Sequence, residues 1–547
     1  MSSTPTPATA GGPPAAAAPM SHRQILEALS GLLLAMFVAI LSSTVVSAAL
    51  PTIIADLGAG QSTYTWVVTA TLLTMTISTP IWGKMADLFN RKQLIQLGIV
   101  IYLVGSILAG FATSSAWLLA CRALQGVGVG ALTALVQVIL SDLVSPRERG
   151  RYMGYLGAVF GVGTVAGPVI GGLLTDSLGW RWCFFVGVPF ALIALVLLQR
   201  TLHLPTKKRE DVHIDVLGGT LIAAGVSSIL IWVSLAGKNF DWIGWQTAAM
   251  VLGGIAFIAA AVVVEKRAKE PLIPMGLFQN RTVVMAVVAS VAVGIAMFGT
   301  TVFLTQYMQL ARGYSPTESG LLTIPMVIGL FGSSTLSGRY ISASGHYKRI
   351  MLTGAALLTV GLALMGLIDD TTSLAEVAVF MLVVGAGIGM LMQNLILAVQ
   401  NVIPASEIGA GSALIAFFRS LGGAIGVSVM GAILSSKVTD SIATGLAEER
   451  IDGSALGGGG QIPELSTLPG PVRGVVEHAY GTGVAEIFLI AAPMGIVAFV
   501  AVWFLREHAL GTKSGIELAA EQAGGPSEDA PEERRGAAPE IREPVVH

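Results

Sequence analysis

Apolar residues run through this chain in blocks long enough to cross a lipid bilayer, which takes about 20 residues of helix. The blocks recur from Gln24 onward, with short polar connections between them. They predict helices near residues 24–50, 63–83, 93–113, 116–141, 151–175, 182–202, 214–236, 245–265, 283–306, 319–338, 350–368, 374–400, 409–434 and 483–505, about fourteen in all. Two segments break the rhythm. The connection 435–482 holds four glycines in a row, Gly457 to Gly460, and the stretch from Arg506 is polar, acidic and proline-rich. Residues 1–22 and 506–547 therefore read as disordered tails. No basic region followed by a short apolar core stands at Met1, so a cleavable leader is not expected.

Composition narrows the class. The 547 residues are 53% hydrophobic and 12% charged, with a mean hydropathy of +0.75, whereas a soluble domain carries about 25% charged residues. This is the balance of a polytopic membrane protein. A net charge of −2 leaves no footprint for nucleic acid. Cys121 and Cys183 both sit in or beside apolar runs, and the seven histidines form no metal-ligand spacing. Phosphate loops, nucleophile elbows and zinc motifs are absent from the sequence, so neither an enzyme nor a cofactor is expected.

Charge at the connections sets orientation. With the N-terminus inside, Lys84, Arg91 and Lys92 share the cytoplasmic face with Arg147, Arg149, Arg151, Lys207, Lys208 and Arg209. Lys266, Arg267, Lys269, Arg339, Lys348 and Arg349 join them, and the opposite loops are far poorer, with Arg181, Lys238 and Arg312 among the few exceptions. The bias places both termini in the cytoplasm and connection 435–482 outside.

The connection after the second helix reads GKMADLFNRKQ, and the one after the tenth reads GRYISASGHYKR, a decayed copy with Ser342 where Asp87 stands. Such repetition in a polytopic chain suggests two bundles that rock about a central site. Within the first copy, Asp87 and Arg91 are four residues apart, the spacing of a helix-surface charge pair. On the fifth helix Gly163, Gly167 and Gly171 recur every four residues on one face. That stripe permits close helix approach in lipid, and Pro168 favours a kink.

These segments carry a family resemblance. GKMADLFNRKQ resembles motif A of the major facilitator superfamily, RALQGVGVG from Arg122 its motif B, and GTVAGPVIGG from Gly163 its motif C. WRWCFFVGVP from Trp180, HIDVLGG from His213 and FFRSLGGAIGV from Phe417 resemble signatures of its fourteen-helix drug:proton antiporter family, which usually has Asn where Gly187 stands. The resemblance spans about residues 24–434. It implies an all-α membrane protein of the major facilitator fold, two six-helix bundles with two inserted transmembrane helices. The units expected are an N-terminal bundle over 23–203, an inserted pair over 214–265 and a C-terminal bundle over 283–505. It also implies a latch between the bundles at Gly83, Asp87 and Arg91, and export associated with Gly163, Gly167, Pro168 and Gly171.

One departure stands out. The family's first helix typically carries an aspartate and an asparagine where this chain has Ser42 and Ser47. A hydroxyl does not titrate near neutral pH, so the carboxylate expected opposite Arg122 is missing. Arg122 lies inside an apolar helix, where arginine costs up to about 3 kcal/mol even on the lenient insertion scale. It is expected to face the bundle interior. If protons are coupled, another acid must serve. Glu27, Asp56 and Glu486 are the candidates, with Arg419 as a second buried cation; Glu486 is read as about one turn into the last helix. For the substrate pocket the candidates are Ser42, Trp66, Gln137, Phe298, Gln306, Gln393, Asn394 and Phe417, because intramembrane amides are costly and aromatics suit hydrophobic ligands.

The resulting expectation is a secondary exporter of amphipathic small molecules by proton antiport. It would act as a monomer, surrounded by lipid, in a bacterial plasma membrane. A lipid or cell-envelope precursor transporter and a facilitator uncoupled from protons are the alternatives.

Overall fold

The computed structural model describes residues 22–57, 61–202, 215–236, 240–268, 271–449 and 469–511. The first half holds α1 (His22–Asp56), α2 (Gln61–Leu88), α3 (Arg91–Gly110), α4 (Ser115–Leu143), α5 (Pro146–Ser177), the single turn α6 (Trp182–Phe185) and α7 (Gly187–Thr201). An inserted hairpin follows, α8 (Val216–Leu235) and α9 (Trp245–Glu265). The second half holds α10 (Arg281–Gln306), α11 (Pro316–Leu322), α12 (Ile324–Ser344), α13 (Lys348–Met365), α14 (Leu374–Gln400), α15 (Ile408–Glu448) and α16 (Gly470–Phe504).

Local chemistry explains many of the ends. Side chains of Asn90, Ser114, Ser145, Asp215, Asn280 and Ser373 accept a backbone N–H from the first turn of the helix each one starts, replacing the partner that a helix N-terminus lacks. Ser315 and Glu318 complete a reciprocal capping box. Gly345, at φ 76°, ends α12 in the left-handed region that a side chain would oppose.

Twelve helices among the described residues are long and apolar enough to cross a membrane. Helices α2 and α8 are not among them. α2 has length but is interrupted by Thr71, Thr74, Thr76, Ser78 and Thr79, and α8 is a shorter apolar helix over Leu217–Val233 among the described residues.

The helices pack as two bundles. One core joins residues from Ile25 to Leu202, and a second joins Leu277 to Leu510. The bundles meet along α2 against α15 and α5 against α12. The hairpin packs α8 on α9 and touches the seam through α2 and α15. Lys84, Arg91, Arg147 and Arg149 mark one end of the molecule, here called the basic end.

Two connections differ from expectation. The long one after α15 is shorter than 435–482, because α15 continues to Glu448 and α16 starts at Gly470. Its glycine run lies outside the described residues, as do both tails up to Ser21 and beyond Gly511. Residues 506–511, expected in the tail, form an extended strap at the basic end. Glu507 accepts from Tyr347 and Lys348 backbone N–H groups, His508 N–H donates to the Tyr347 hydroxyl, and Gly511 bonds both Asn401 Oδ1 and Arg147 N–H. Backbone groups satisfied in this way fix a polar segment that composition alone marks as loose.

Candidate functional site

The first polar centre lies inside the N-terminal bundle. Arg122 is 2% exposed, which decides between the bundle interior and snorkelling to the interface. Its Nε donates to Val67 O at 3.3 Å and its Nη1 to Gln125 Oε1 at 3.0 Å. Gln125 Nε2 donates to Ser106 Oγ, which donates in turn to Phe184 O at 2.7 Å. The buried Tyr102 hydroxyl interacts with Ser42 and Ser106 and occupies the space that a side chain at Gly187 would need. The bonded chain therefore runs from Phe184 O through Ser106 and Gln125 to Arg122, with the Tyr102 hydroxyl and Ser42 beside it. Among the described residues no carboxylate is bonded to this guanidinium, and neutral dipoles solvate it instead.

A second centre lies between the bundles, nearer the basic end. Gln137 Nε2 of α4 donates to Gln393 Oε1 of α14 at 3.0 Å. Asn394 turns back to Met390 O of its own helix. Arg419, half-buried on α15, donates to Met392 O at 3.3 Å. Thus Gln137, Gln393, Asn394 and Arg419 come together. Trp66 and Gln306 sit nearer the opposite end, the latter with a buried Oε1 lacking a partner, while Phe298 packs over Gly423. Phe417 departs from the expected pocket. It clusters with Val226 and Leu230 of α8 because the inserted hairpin covers that face of α15.

At the basic end the bundles are tied together. No side chain of its own segment caps α15. Asp87, reaching over from α2, accepts Gly409 N–H and Ala410 N–H, each at 2.9 Å, placing a carboxylate on a helix N-terminus. Gly83 makes the approach possible, since a Cβ there would run into Ala413 and lie 2.8 Å from Gly409 O. Arg91 pairs with both Asp87 and Asp142 and donates to Ala86 O. Arg149 is not the solvated loop cation its position suggested. It is 1% exposed, bonded to Gln400 across the seam and to Ser141 O and Val144 O on its own side. Arg147 Nε donates to Ser342 O, in the second copy of the repeat.

The motif C stripe serves packing. Gly163 faces Ile40, Gly167 leaves no room beside Thr44, and Thr44 Oγ1 donates to Gly163 O at 3.0 Å. Gly171 is buried on the same helix and accepts from Thr175, while Pro168 abuts the position of Gly320 on α11, in the other half.

The three candidate acids lie elsewhere. Glu27 is on the exposed start of α1, about 22 Å along that helix from Ser42 at 1.5 Å per residue. Asp56, at the other end, accepts from Trp180 Nε1 at 2.9 Å and Arg181 Nη1 at 3.3 Å. Glu486 is well inside α16 rather than one turn in, because that helix starts at Gly470. Its accessible carboxylate pairs with Lys437 at 2.8 Å.

Tyr102, Ser106, Gln400 and Gln125 were not singled out from sequence. Gln125 had a readable signal, three residues after Arg122 on the same helix face. The others are bonded mainly through tertiary contacts.

A two-bundle helical membrane protein with polar groups gathered inside and between its halves defines a class, the multi-pass membrane transporters. The Major Facilitator Superfamily profile matches residues 32–215 and 214–427, and the chain belongs to that superfamily. It is 35% identical over 417 residues to the multidrug transporter protein MdtP of Bacillus subtilis (strain 168), covering 76% of each chain. It is 34% identical over 506 residues to the MFS-type transporter Rv1877 of Mycobacterium tuberculosis (strain ATCC 25618 / H37Rv), covering 92% of this chain and 72% of that one. Among solved structures, a bacterial homolog of the human lysosomal transporter Spinster shares the fold, with a TM-score of 0.55 at 18% identity over 89% of this chain and 98% of that one.

Proposed function

We propose that the protein exports amphipathic small molecules across a bacterial plasma membrane in exchange for protons, as a monomer of the fourteen-helix drug:proton type. Its basic end and both termini are then cytoplasmic, in keeping with the positive-inside bias, and α2 and α8 complete the fourteen spans. The observation that carries the reading is the seal at the basic end. Asp87, Gln137, Arg147 and Arg149 of one half bond to the other half there, as alternating access requires of a closed gate. The multidrug transporter among its relatives favours export of varied ligands.

The cargo is neutral or anionic. Arg122 is held by neutral groups, Arg419 offers a half-buried guanidinium beside Gln393, and the family acid is Ser42. A dication would meet like charge with no carboxylate to offset it.

The test uses purified protein in liposomes under an imposed pH gradient, following fluorescent amphiphiles of each charge. Flux of the neutral and anionic probes is expected to track the gradient, with the dicationic probe carried at least tenfold more slowly. Gradient-independent flux would point to a facilitator, and efficient dication transport would overturn the substrate assignment.

A further inference from the structure

The inserted hairpin ends, at its base, in two carboxylates. Asp215 caps α8, and its Oδ1 accepts Gly218 N–H at 2.8 Å. Glu265 closes α9, and its Oε2 accepts Ile273 N–H at 3.2 Å. Each acid spends one oxygen on backbone. The other two oxygens, Asp215 Oδ2 and Glu265 Oε1, are buried with no hydrogen-bond partner among the described residues. They converge on one spot. A Cβ placed on Gly218 would lie 2.5 Å from Asp215 Oδ2 and 2.6 Å from Glu265 Oε1. Glycine leaves that spot open.

Glu265 is 2% exposed. Two ionised oxygens facing one point, out of water and with no donor among the described residues, would combine desolvation with repulsion. Lys84 from α2 is the cation whose field reaches Glu265. Lys266 and Arg267, next along the chain, are exposed, and the segment before α10 contributes backbone N–H groups. One proton removes the conflict. Carried on Glu265 Oε1 and donated to Asp215 Oδ2, it satisfies both orphan oxygens with a single bond. Its placement on Glu265 follows from the helix termini, since the C-terminus of α9 opposes an anion there.

We propose that Asp215 and Glu265 share one proton, making the base of the α8–α9 hairpin a proton-binding site. The shared proton ties the base of α8 to the end of α9, while the other oxygen of Glu265 holds the Ile273 N–H of the segment that leads into the C-terminal bundle. Releasing it leaves two buried anions, so release requires the hairpin base to open or Lys84 to move in. The site stands apart from both polar centres and does not depend on the exchange reading above.

Infrared spectroscopy of the full-length protein in lipid nanodiscs tests it without any transport assay. At neutral pH the wild type is expected to show a protonated-carboxyl stretch that shifts in D2O. Glu265→Gln should lose that band, and Asp215→Asn should move its frequency by changing the acceptor. Glu265→Gln can donate the same bond through its amide, so its Tm should stay within a few degrees of wild type, whereas Glu265→Ala should melt lower. A wild-type carboxyl band unchanged in Glu265→Gln would overturn the proposal. So would a Tm that rises with sodium, but not choline, at constant ionic strength in wild type and not in Glu265→Gln, because the pair would then hold a metal cation.

Discussion

Arg122 concentrates the problem this chain solves at single residues. A permanently charged group sits in a bundle whose first helix offers Ser42 instead of a carboxylate, and two neutral acceptors, Val67 O and Gln125, hold it, with Ser106 and Phe184 O bonded behind Gln125. The guanidinium spans Val67 O and Gln125 at once, which a lysine ammonium at the end of a flexible stem does not reproduce. Arg122→Leu is expected to destabilise by roughly 1–3 kcal/mol for each acceptor left unpaired, and Arg122→Lys by less. Thermal melts in detergent would check both, and an unchanged Tm in Arg122→Leu would show that the network stabilises nothing. Arg122 was legible in the sequence, as a charged residue in an apolar run, and Gln125 three residues on carried a signal that went unread. Tyr102 was not legible, because an aromatic in a membrane helix carries no mark of where its hydroxyl ends.

Among the elements, the close contact of α2 with α15 governs the seal. Gly83 and Gly409 face one another, and a Cβ on Gly409 would overlap Gly83 O and lie 2.5 Å from Asp87 Oδ1. Gly409→Val is therefore expected to keep the helices apart, abolish substrate flux and leave membrane insertion intact. Flux in proteoliposomes together with a size-exclusion profile would separate that outcome from misfolding. Full activity of Gly409→Val would mean that the seal is dispensable. Motif A announced Gly83, Asp87 and Arg91 in the sequence. Their partner did not show itself, since the amides that Asp87 accepts belong to residues 322 and 323 positions away and carry no side-chain signature. The same blindness applied to Phe417, where the inserted hairpin occupies a helix face that periodicity alone left open.

At the level of the whole molecule, the polar ties between the halves gather at the basic end and the repeat explains their arrangement. Asp87 meets the start of α15, and Ser342, its counterpart in the second copy, meets Arg147 at the start of α5. Only the first copy retains its acid. The strap at 506–511 adds a further tie, joining α5, the α12–α13 turn and the end of α14. Removal of residues 506–547 is expected to loosen the closed end. Hydrogen–deuterium exchange at Gly409 and Ala410, whose amides Asp87 holds, should accelerate several-fold. Equal protection with and without the strap would show that it is passive.

Taken alone, the sequence determined the helical membrane class, the approximate position of each helix, the internal repeat and the superfamily. All of these rest on local pattern: apolar runs of bilayer length, charge at connections and short motifs. Tertiary structure decided what the polar residues do. It placed Arg149 inside rather than in a loop, gave Glu486 to Lys437, tied down the strap, and brought Asp215 and Glu265 together across Gly218. The physical reason is common to them. A buried polar group must find a partner wherever the fold supplies one, and here the partners are backbone amides, carbonyls or side chains that adjacency in sequence does not reveal.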